Sequence, residues 1–190
     1  MSVAAVSLAG CGDAGTSPDD KSVTTQTRSG WTTSPAAPPP TGRVRGQVLR
    51  GPVVYVSDGD TIGVRLNGVV TRIRLVGIDA PESKDPNAPV GCFGPKASAI
   101  AQRLLPRGTS VTVVTDPTQD RHDKYNRLLA YVFTANNPVS VNEQLVSEGA
   151  ARVYVYRRKH PPRRLGKLRA AERQAKAAGR GLWSACPTAR

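Results

Sequence analysis

The sequence predicts an α+β domain whose sheet is a small five-stranded barrel. Five short segments rich in β-branched residues are separated by turn signals, and three further segments have helical patterns. Many short strands with close turns are typical of small barrels. At 190 residues the chain has room for one such domain plus extensions, because typical domains contain roughly 100–150 residues.

The first three strands are predicted to form an antiparallel meander. Ser57-Asp58-Gly59-Asp60 joins the first two, and Asn67-Gly68, a dipeptide that readily adopts positive φ, predicts a tight hairpin turn between the next two. Val53–Val56, Thr61–Leu66, Val70–Ile78, Val111–Thr115 and Leu128–Phe133 are the predicted strands.

Three helices are predicted from their start signals and apolar faces. Proline opens the first, and Ser140 is placed to cap the second. The third is a long Ala/Arg-rich stretch that ends before Gly179. The predicted spans run from Pro95 to Leu104, from Val141 to Ser147 and from Pro162 to Ala178.

The chain before the barrel divides into two parts. Residues 1–11 run from an apolar stretch into Leu8-Ala9-Gly10-Cys11, which resembles the lipobox of bacterial lipoproteins and implies acylation of Cys11. The alternative is an N-terminal tail with a chance cysteine. Residues 12–43 are Ser/Thr/Gly/Ala/Pro-rich and predict a disordered linker, because this composition buries too little apolar surface to order itself. The globular domain is expected over residues 45–186.

The net charge of +13 favours a polyanionic partner. From Arg152 to Arg190 there are twelve basic residues and one acid, Glu172, which accounts for +11 of that total. Nucleic acid and anionic lipid are the two candidates, and a merely solvated basic helix is the alternative. No stretch approaches the roughly 18–20 apolar residues of a transmembrane helix, so none is predicted.

The sequence excludes several common catalytic sites. It contains no glycine-rich phosphate loop and no His-Glu-x-x-His zinc motif. With His122 and His160 as the only histidines, a histidine metal cluster is ruled out. Any catalytic metal must therefore be held by oxygen.

Three segments share their order and spacing with a known family. They are Asp58–Thr61, Arg74–Glu82 and Asp123–Tyr131, and together they resemble the staphylococcal nuclease (thermonuclease) family. The resemblance continues through Asn142–Val146, Tyr154–Tyr156 and Gly181–Trp183 and covers about residues 47–186. It implies an OB-fold-type barrel and calcium-dependent hydrolysis of phosphodiester bonds in DNA or RNA.

Two carboxylates that a barrel brings together suit a hard cation with oxygen ligands. Asp60 and Asp79 are the candidate metal ligands. The resemblance implies Ca²⁺ and adds the backbone carbonyl of Ala80. Taken alone, Asp58-Gly59-Asp60 is more typical of an ordinary turn with solvated acids, and the second motif reverses that preference.

Arg74 and Arg127 correspond to the two catalytic arginines of the family, and a guanidinium can bind two phosphoryl oxygens at once. For a lone arginine the alternative is a surface salt bridge. By resemblance, Glu82 is the general base; it follows Pro81, which breaks any helix and favours a loop beside the metal. Asn126 stands where the family often has glycine, and because Asn tolerates positive φ the turn before Arg127 should persist.

The resemblance also implies substrate contacts. Lys124 and Tyr125 would contact a terminal phosphate, and Tyr154 or Tyr156 would pack on a base, as stacking is sequence-tolerant. For either of these last two tyrosines a core position is the alternative.

Cys92 and Cys186 remain once Cys11 is set aside, and two cysteines in an exported protein predict one disulfide. The alternative is two free thiols in a cytosolic protein. Trp183 is expected to anchor the chain end against the barrel just before this bond.

The sequence therefore predicts a monomeric, extracytoplasmic nuclease, secreted or lipid-anchored to the outer face of the bacterial cell membrane. The competing hypothesis is a catalytically inactive OB-fold module that binds nucleic acid, because fold alone does not decide function. All five charged residues proposed for chemistry are present, namely Asp60, Arg74, Asp79, Glu82 and Arg127.

Overall fold

The computed structural model of the chain describes residues 46–83 and 89–186. The predicted lipoprotein-type signal peptide over residues 1–11, the predicted acylation site at Cys11 and the predicted linker over residues 12–43 lie outside these ranges. Within the described ranges no helix is both long and apolar enough to cross a membrane.

The described chain contains seven strands, five of which form a closed barrel. The strands are β1 (Val48–Val56), β2 (Thr61–Leu66), β3 (Val69–Leu75), β4 (Ile78–Asp79), β5 (Ser110–Thr115), β6 (Leu128–Thr134) and β7 (Arg152–Val153). Within the barrel the order is β1-β2-β3-β6-β5, and pairing of β5 with β1 closes it. The predicted five-stranded barrel is confirmed.

The register of two strand pairs decides which side chains meet. Asn67 and Gly68 have φ of 49° and 84°, the backbone of the predicted hairpin turn. The antiparallel pairing across this turn places Thr61 opposite Arg74. β3 also pairs in parallel with β6, which places Arg74 opposite Leu129. Residues from three distant segments therefore become neighbours.

The third strand is shorter than the predicted span Val70–Ile78. It ends at Leu75, and Gly77 turns the chain with φ 82°. A Cβ at Gly77 would lie 2.5 Å from a methyl carbon of Leu168, so close packing also favours glycine there. The chain resumes as β4, which pairs with β7 outside the barrel. Two-residue strands carry no alternation, so this second sheet was not predictable from sequence pattern.

Four helices pack on the barrel and on one another: α1 (Gly94–Leu104), α2 (Val141–Ser147), α3 (Leu165–Ala177) and α4 (Leu182–Ala185). The predicted cap of α2 is confirmed, because Ser140 and Glu143 form a reciprocal capping box. Buried Asn142 joins α2 to the barrel by accepting from the Val132 N–H and donating to the Val76 carbonyl.

The third helix begins at Leu165 rather than at Pro162. The N–H groups of Arg163 and Arg164 donate to the side chains of Asp116 and Tyr131, at 2.7 Å and 3.1 Å. These two residues are therefore held in a turn against the barrel instead of forming the first helical turn.

The barrel interior is filled by aliphatic side chains with no solvent exposure, including Ile62, Val64, Ile73, Val113 and Val132. Fully burying a side chain of this kind stabilises the fold by about 1.5–3 kcal/mol. The barrel is therefore a rigid support for residues at its strand ends.

The end of the described chain has a small cluster of its own. Trp183, Ala175, Leu182 and Cys186 are buried together, with Phe93 packed against them. The expectation that Trp183 rests against the barrel is therefore wrong: it packs on the end of α3 and on the residue that precedes α1. Cys186 is bonded to Cys92 in the expected disulfide, with Cα atoms 5.9 Å apart.

Candidate active site

Arg74, near the end of β3, contacts two carboxylates. Its Nη1 lies 2.9 Å from Asp60 Oδ2, and its Nη2 donates to Asp79 Oδ1 at 2.9 Å. Nη1 also donates to the carbonyl of Ile78 at 2.9 Å. The side chain is 15% exposed, so the guanidinium is held in one place and largely out of solvent.

Asp60 is the more buried of the two candidate metal ligands, its side chain being 8% exposed against 57% for Asp79. Its Oδ2 also accepts the N–H of Ala80 at 2.8 Å. Burial raises the pKa of Asp60 to about 7, with nearby Asp58 adding to the rise and Arg74 opposing it. Because burial disfavours the charged form of this carboxyl group, a cation bound beside it would favour its ionised form.

The segment after β4 carries the remaining residues of the second motif. Ala80 joins this segment to Asp60 through its N–H. Glu82 is half-buried, its Oε1 accepts the N–H of Ser83 at 2.8 Å, and its carbonyl accepts the N–H of Gly91 at 2.8 Å. The backbone of Glu82 is therefore tied to the chain that leads into α1.

Arg127 is held by a turn that begins at Asp123. Asp123 Oδ1 accepts the N–H groups of Tyr125 and Arg127, both at 2.9 Å, and Oδ2 accepts Arg127 Nε at 2.6 Å. Asn126 has φ 59°, which confirms that asparagine maintains the positive-φ turn. Desolvation alone would raise the pKa of Asp123, but the hydrogen bonds and charge of Arg127 outweigh it and the pKa lies below the ordinary 3.8.

Thr61 connects the two arginine sites. Its hydroxyl donates to Asp60 Oδ1 at 3.1 Å and accepts from Arg127 Nη1 at 3.3 Å. The result is a continuous polar network that joins all three sequence motifs: Asp79, Arg74, Asp60, Thr61, Arg127 and Asp123.

The sequence interpretation assigned no role to Thr61 or Asp123. Both lie inside the matched motifs, next to or four residues from a predicted site residue. Their position in the motifs was the one sign of a role that the sequence offered. Which partners they contact depends on the strand register and the turn geometry, which the structure supplies.

A cleft of about 490 Å³ opens beside this network. Arg74, Asp79 and Arg127 line it, together with Lys124, Tyr125, Tyr154 and Tyr156. Asp60, Ala80 and Glu82 are not among the described residues that line the cleft. Arg74 lines the cleft and also contacts Asp60.

The tyrosines of the cleft are exposed: Tyr125 is 60%, Tyr154 48% and Tyr156 75% accessible. The alternative of a core position for Tyr154 or Tyr156 is therefore wrong. The Tyr125 ring has Lys124 Nζ 4.9 Å and Arg127 Cζ 5.2 Å from its centroid, which places two cations beside one aromatic face or edge. Such a group can receive both a phosphate and a base.

The donor set fits a hard cation. Asp60 and Asp79 supply carboxylate oxygens, and both contact the same guanidinium group of Arg74. Over the residues that the structure describes, no group of three or more His, Cys, Asp or Glu side chains could hold a metal. Further ligands would have to be backbone carbonyls, water or substrate oxygens, which calcium and magnesium accept.

The fold and the site define a class: small barrel proteins in which two arginines and the carboxylates that hold them lie at an exposed cleft. A model of the staphylococcal nuclease homologue family matches residues 72–185. The chain belongs to this family.

Individual relatives agree with this assignment. The chain is 35% identical to a thermonuclease of Staphylococcus hyicus, over 70% of this chain and 74% of that protein. It is 40% identical to endonuclease YncB of Bacillus subtilis, over 67% of this chain and 58% of the relative. It is 36% identical to an uncharacterized protein of Methanocaldococcus jannaschii, over 70% of this chain and 71% of the relative. The chain thus spans about three fifths to three quarters of these relatives.

Proposed function

We propose that this protein is a calcium-dependent nuclease that hydrolyses phosphodiester bonds of DNA or RNA. Hydrolysis of phosphodiester bonds follows from the family and from relatives named thermonuclease and endonuclease. The polar network from Asp79 to Asp123 supports the finer assignment, because it joins two guanidinium groups and three carboxylates, and all of these groups except Asp60 line one cleft.

In this proposal Arg74 and Arg127 bind the phosphoryl oxygens and stabilise the charge that accumulates on them in the transition state. Both guanidinium groups are held in advance by fixed acceptors, so little reorganisation is needed when substrate binds. Calcium, bound by Asp60, Asp79 and the carbonyl of Ala80, would supply electrostatic stabilisation of the same oxygens.

Glu82 acts as general base. It takes a proton from water as the water oxygen forms a bond to phosphorus, and the bond from phosphorus to the leaving oxygen breaks in line. The leaving oxygen takes its proton from solvent. Lys124 and Tyr125 contact a terminal phosphate, and Tyr154 or Tyr156 stacks on a base.

The first test is digestion of plasmid DNA with calcium or with chelator. Cleavage that requires calcium is expected. Binding of nucleic acid without cleavage under either condition would favour the inactive binding module instead.

Replacing Glu82 tests the assignment of the base. Glu82→Gln should lower kcat by about 10²–10⁴-fold and leave calcium binding, measured by calorimetry, unchanged. Glu148→Gln is the matched control, because Glu148 is also half-buried but pairs with Arg103 and lies outside the three sequence motifs that contain the proposed site. Equal rates for Glu82→Gln and the control would rule out Glu82 as the base.

Asp60 is tested through the calcium requirement. Asp60→Ala should raise the calcium concentration for half-maximal activity by at least about tenfold, since losing even an outer-shell partner costs that much. Asp60→Asn keeps the size of the side chain and one of its two acceptor oxygens, for either the Thr61 or the Ala80 donor, and removes the charge, so it should show the same shift. A shift for Ala but not for Asn would make Asp60 a structural residue.

We also propose an extracytoplasmic, monomeric domain over residues 45–186, secreted or lipid-anchored at Cys11. The Cys92–Cys186 disulfide supports export, because such bonds persist in oxidising compartments. Mass spectrometry of the mature N-terminus from cells tests the anchor; an unmodified Cys11 preceded by residues 1–10 would contradict it.

A further inference from the structure

The segment between β7 and α3 is basic and begins and ends at the wall of the cleft. Residues 157–164 read Arg-Arg-Lys-His-Pro-Pro-Arg-Arg. Arg157 and Pro162 both line the cleft. Consecutive Cα atoms are about 3.8 Å apart, so the Cα atoms of Arg158, Lys159 and Arg163 lie within about 8 Å of a cleft-lining residue.

This basic segment, residues 157–163, is fixed to the connection between β5 and β6 rather than projecting freely. The carbonyl of His160 accepts from Gln119 Nε2, and the carbonyl of Pro161 accepts from Thr118 Oγ1 at 3.0 Å. At its end, the Arg163 N–H donates to buried Asp116 at 2.7 Å. Two consecutive prolines further restrict the backbone. The side chains are therefore presented from a defined position.

The segment also carries positive charge that the acids of the described chain do not neutralise. Arg157 pairs with Asp120 at 2.7 Å. Arg158, Lys159 and Arg163 are exposed, and no carboxylate of the described residues lies within ion-pair distance of them. Arg158, Lys159 and Arg163 each stand within two residues of a cleft-lining residue, and three such cations beside a cleft attract a polyanion.

The size of the cleft shows why such a surface would matter. A volume of about 490 Å³ is that of a site for one small ligand, so it holds a short piece of a strand. A longer strand must leave the cleft over its wall. Exposed Tyr154 and Tyr156 line the same cleft and directly precede the basic segment.

We propose that residues 157–163 form a second phosphate-binding surface, which contacts the part of a single strand that leaves the cleft. The surface makes long strands better ligands than short ones. This inference rests on the proposed function, because the nuclease cleft is what places one part of the strand. Binding measurements without cleavage can still test it.

The test compares the triple variant Arg158→Ala/Lys159→Ala/Arg163→Ala with the wild-type protein. Arg157 is left in place because it is ion-paired and lines the cleft. Fluorescence anisotropy in chelator measures the affinity for a labelled single strand of about 20 nucleotides, longer than a typical site of roughly 4–16, and for a trinucleotide. The ratio of long-strand affinity to trinucleotide affinity should fall. For the long strand, the slope of log affinity against log salt concentration should also decrease in magnitude by about 2, because three phosphate contacts are lost and each contributes about 0.7.

The matched control is Arg72→Ala/Arg107→Ala/Arg173→Ala, which removes the same charge from exposed residues that do not line the cleft. It should leave the long-strand preference intact. An equal fall in both triple variants, or none in either, would overturn the proposal.

Two further readouts separate the remaining outcomes. The first is binding to phosphatidylserine vesicles. If the vesicles bind wild type but not the first triple variant, and the long-strand affinity of that variant is unchanged, the surface binds anionic lipid and the proposal is overturned. A wild-type protein that shows the long-strand preference without cleaving any strand would support the surface and disprove the nuclease. Melting temperatures of both variants verify that they fold.

Discussion

Arg74 and Arg127 have similar exposure, 15% and 19%, but they are supported in different ways. Arg74 lies in a barrel strand and contacts Asp60 and Asp79, which the fold brings to it. Arg127 is held mainly by Asp123, four residues earlier, within one turn. The first arrangement depends on burial of opposite charges, and the second is encoded almost entirely by five consecutive residues.

The largest effects are expected from removing either guanidinium group, and the two variants should differ in stability. Arg74→Ala and Arg127→Ala should both lower kcat, by about 10²–10³-fold. Arg74→Ala should also lower the free energy of unfolding by about 1–3 kcal/mol without calcium, because buried Asp60 loses its charged hydrogen-bond partner and takes up a proton, its pKa being already about 7. Added calcium should restore part of that loss.

Urea unfolding with and without calcium measures this contrast. Arg103→Ala provides the surface control and should cost no more than about 1 kcal/mol. Equal destabilisation by Arg74→Ala and Arg127→Ala would show that the two supports do not differ.

Breaking the disulfide should affect the Glu82 side of the site and spare the Arg127 turn. Cys92 is adjacent to Gly91, whose N–H binds the Glu82 carbonyl. A bond that spans 94 residues contributes on the order of 4 kcal/mol in the chain-entropy model, or about 10 °C in melting temperature.

Hydrogen exchange of the double variant Cys92→Ser/Cys186→Ser locates the effect. The amides of Gly91 and Gly94 should exchange faster, while those of Tyr125 and Arg127 should change less. Activity near the melting point should fall before global unfolding. Uniform loss of protection across both regions would contradict a local effect.

The smallest effect is expected for Asp123→Asn. The Asp123–Arg127 pair is partly solvated, so its charge should contribute no more than about 1 kcal/mol. Because the pKa of Asp123 is lowered from 3.8, this contribution is present above pH 3.8 and is lost as the pH falls through the lower folded-state pKa. Unfolding free energies of wild type and variant should therefore differ at neutral pH and converge in acid; a constant difference would exclude the ionised pair as its source.

Features encoded by neighbouring residues were predictable from the sequence. The positive φ of Asn67 and Asn126 and the Ser140 cap each depend on a few adjacent side chains, and the structure has all of them. The five-stranded barrel was predictable for a related reason, since β-branched runs between turns specify strands.

Features that depend on distant partners were not predictable. β4 and β7 are two residues each and exist because Ile78 meets Val153. The start of α3 shifts because Asp116 and Tyr131 capture the backbone before it. Thr61 links the two arginine sites because strand register, not sequence distance, places it there.

The parallel pairing of β3 with β6 has a consequence for how activity arises during folding. It joins Ile73 to Leu128, and such distant contacts form slowly because a long loop must first be closed. Before that closure, Arg74 and Arg127 belong to unconnected parts of the chain. We therefore expect catalysis to appear cooperatively, late in folding, so that a newly made or partly unfolded chain does not cut nucleic acid.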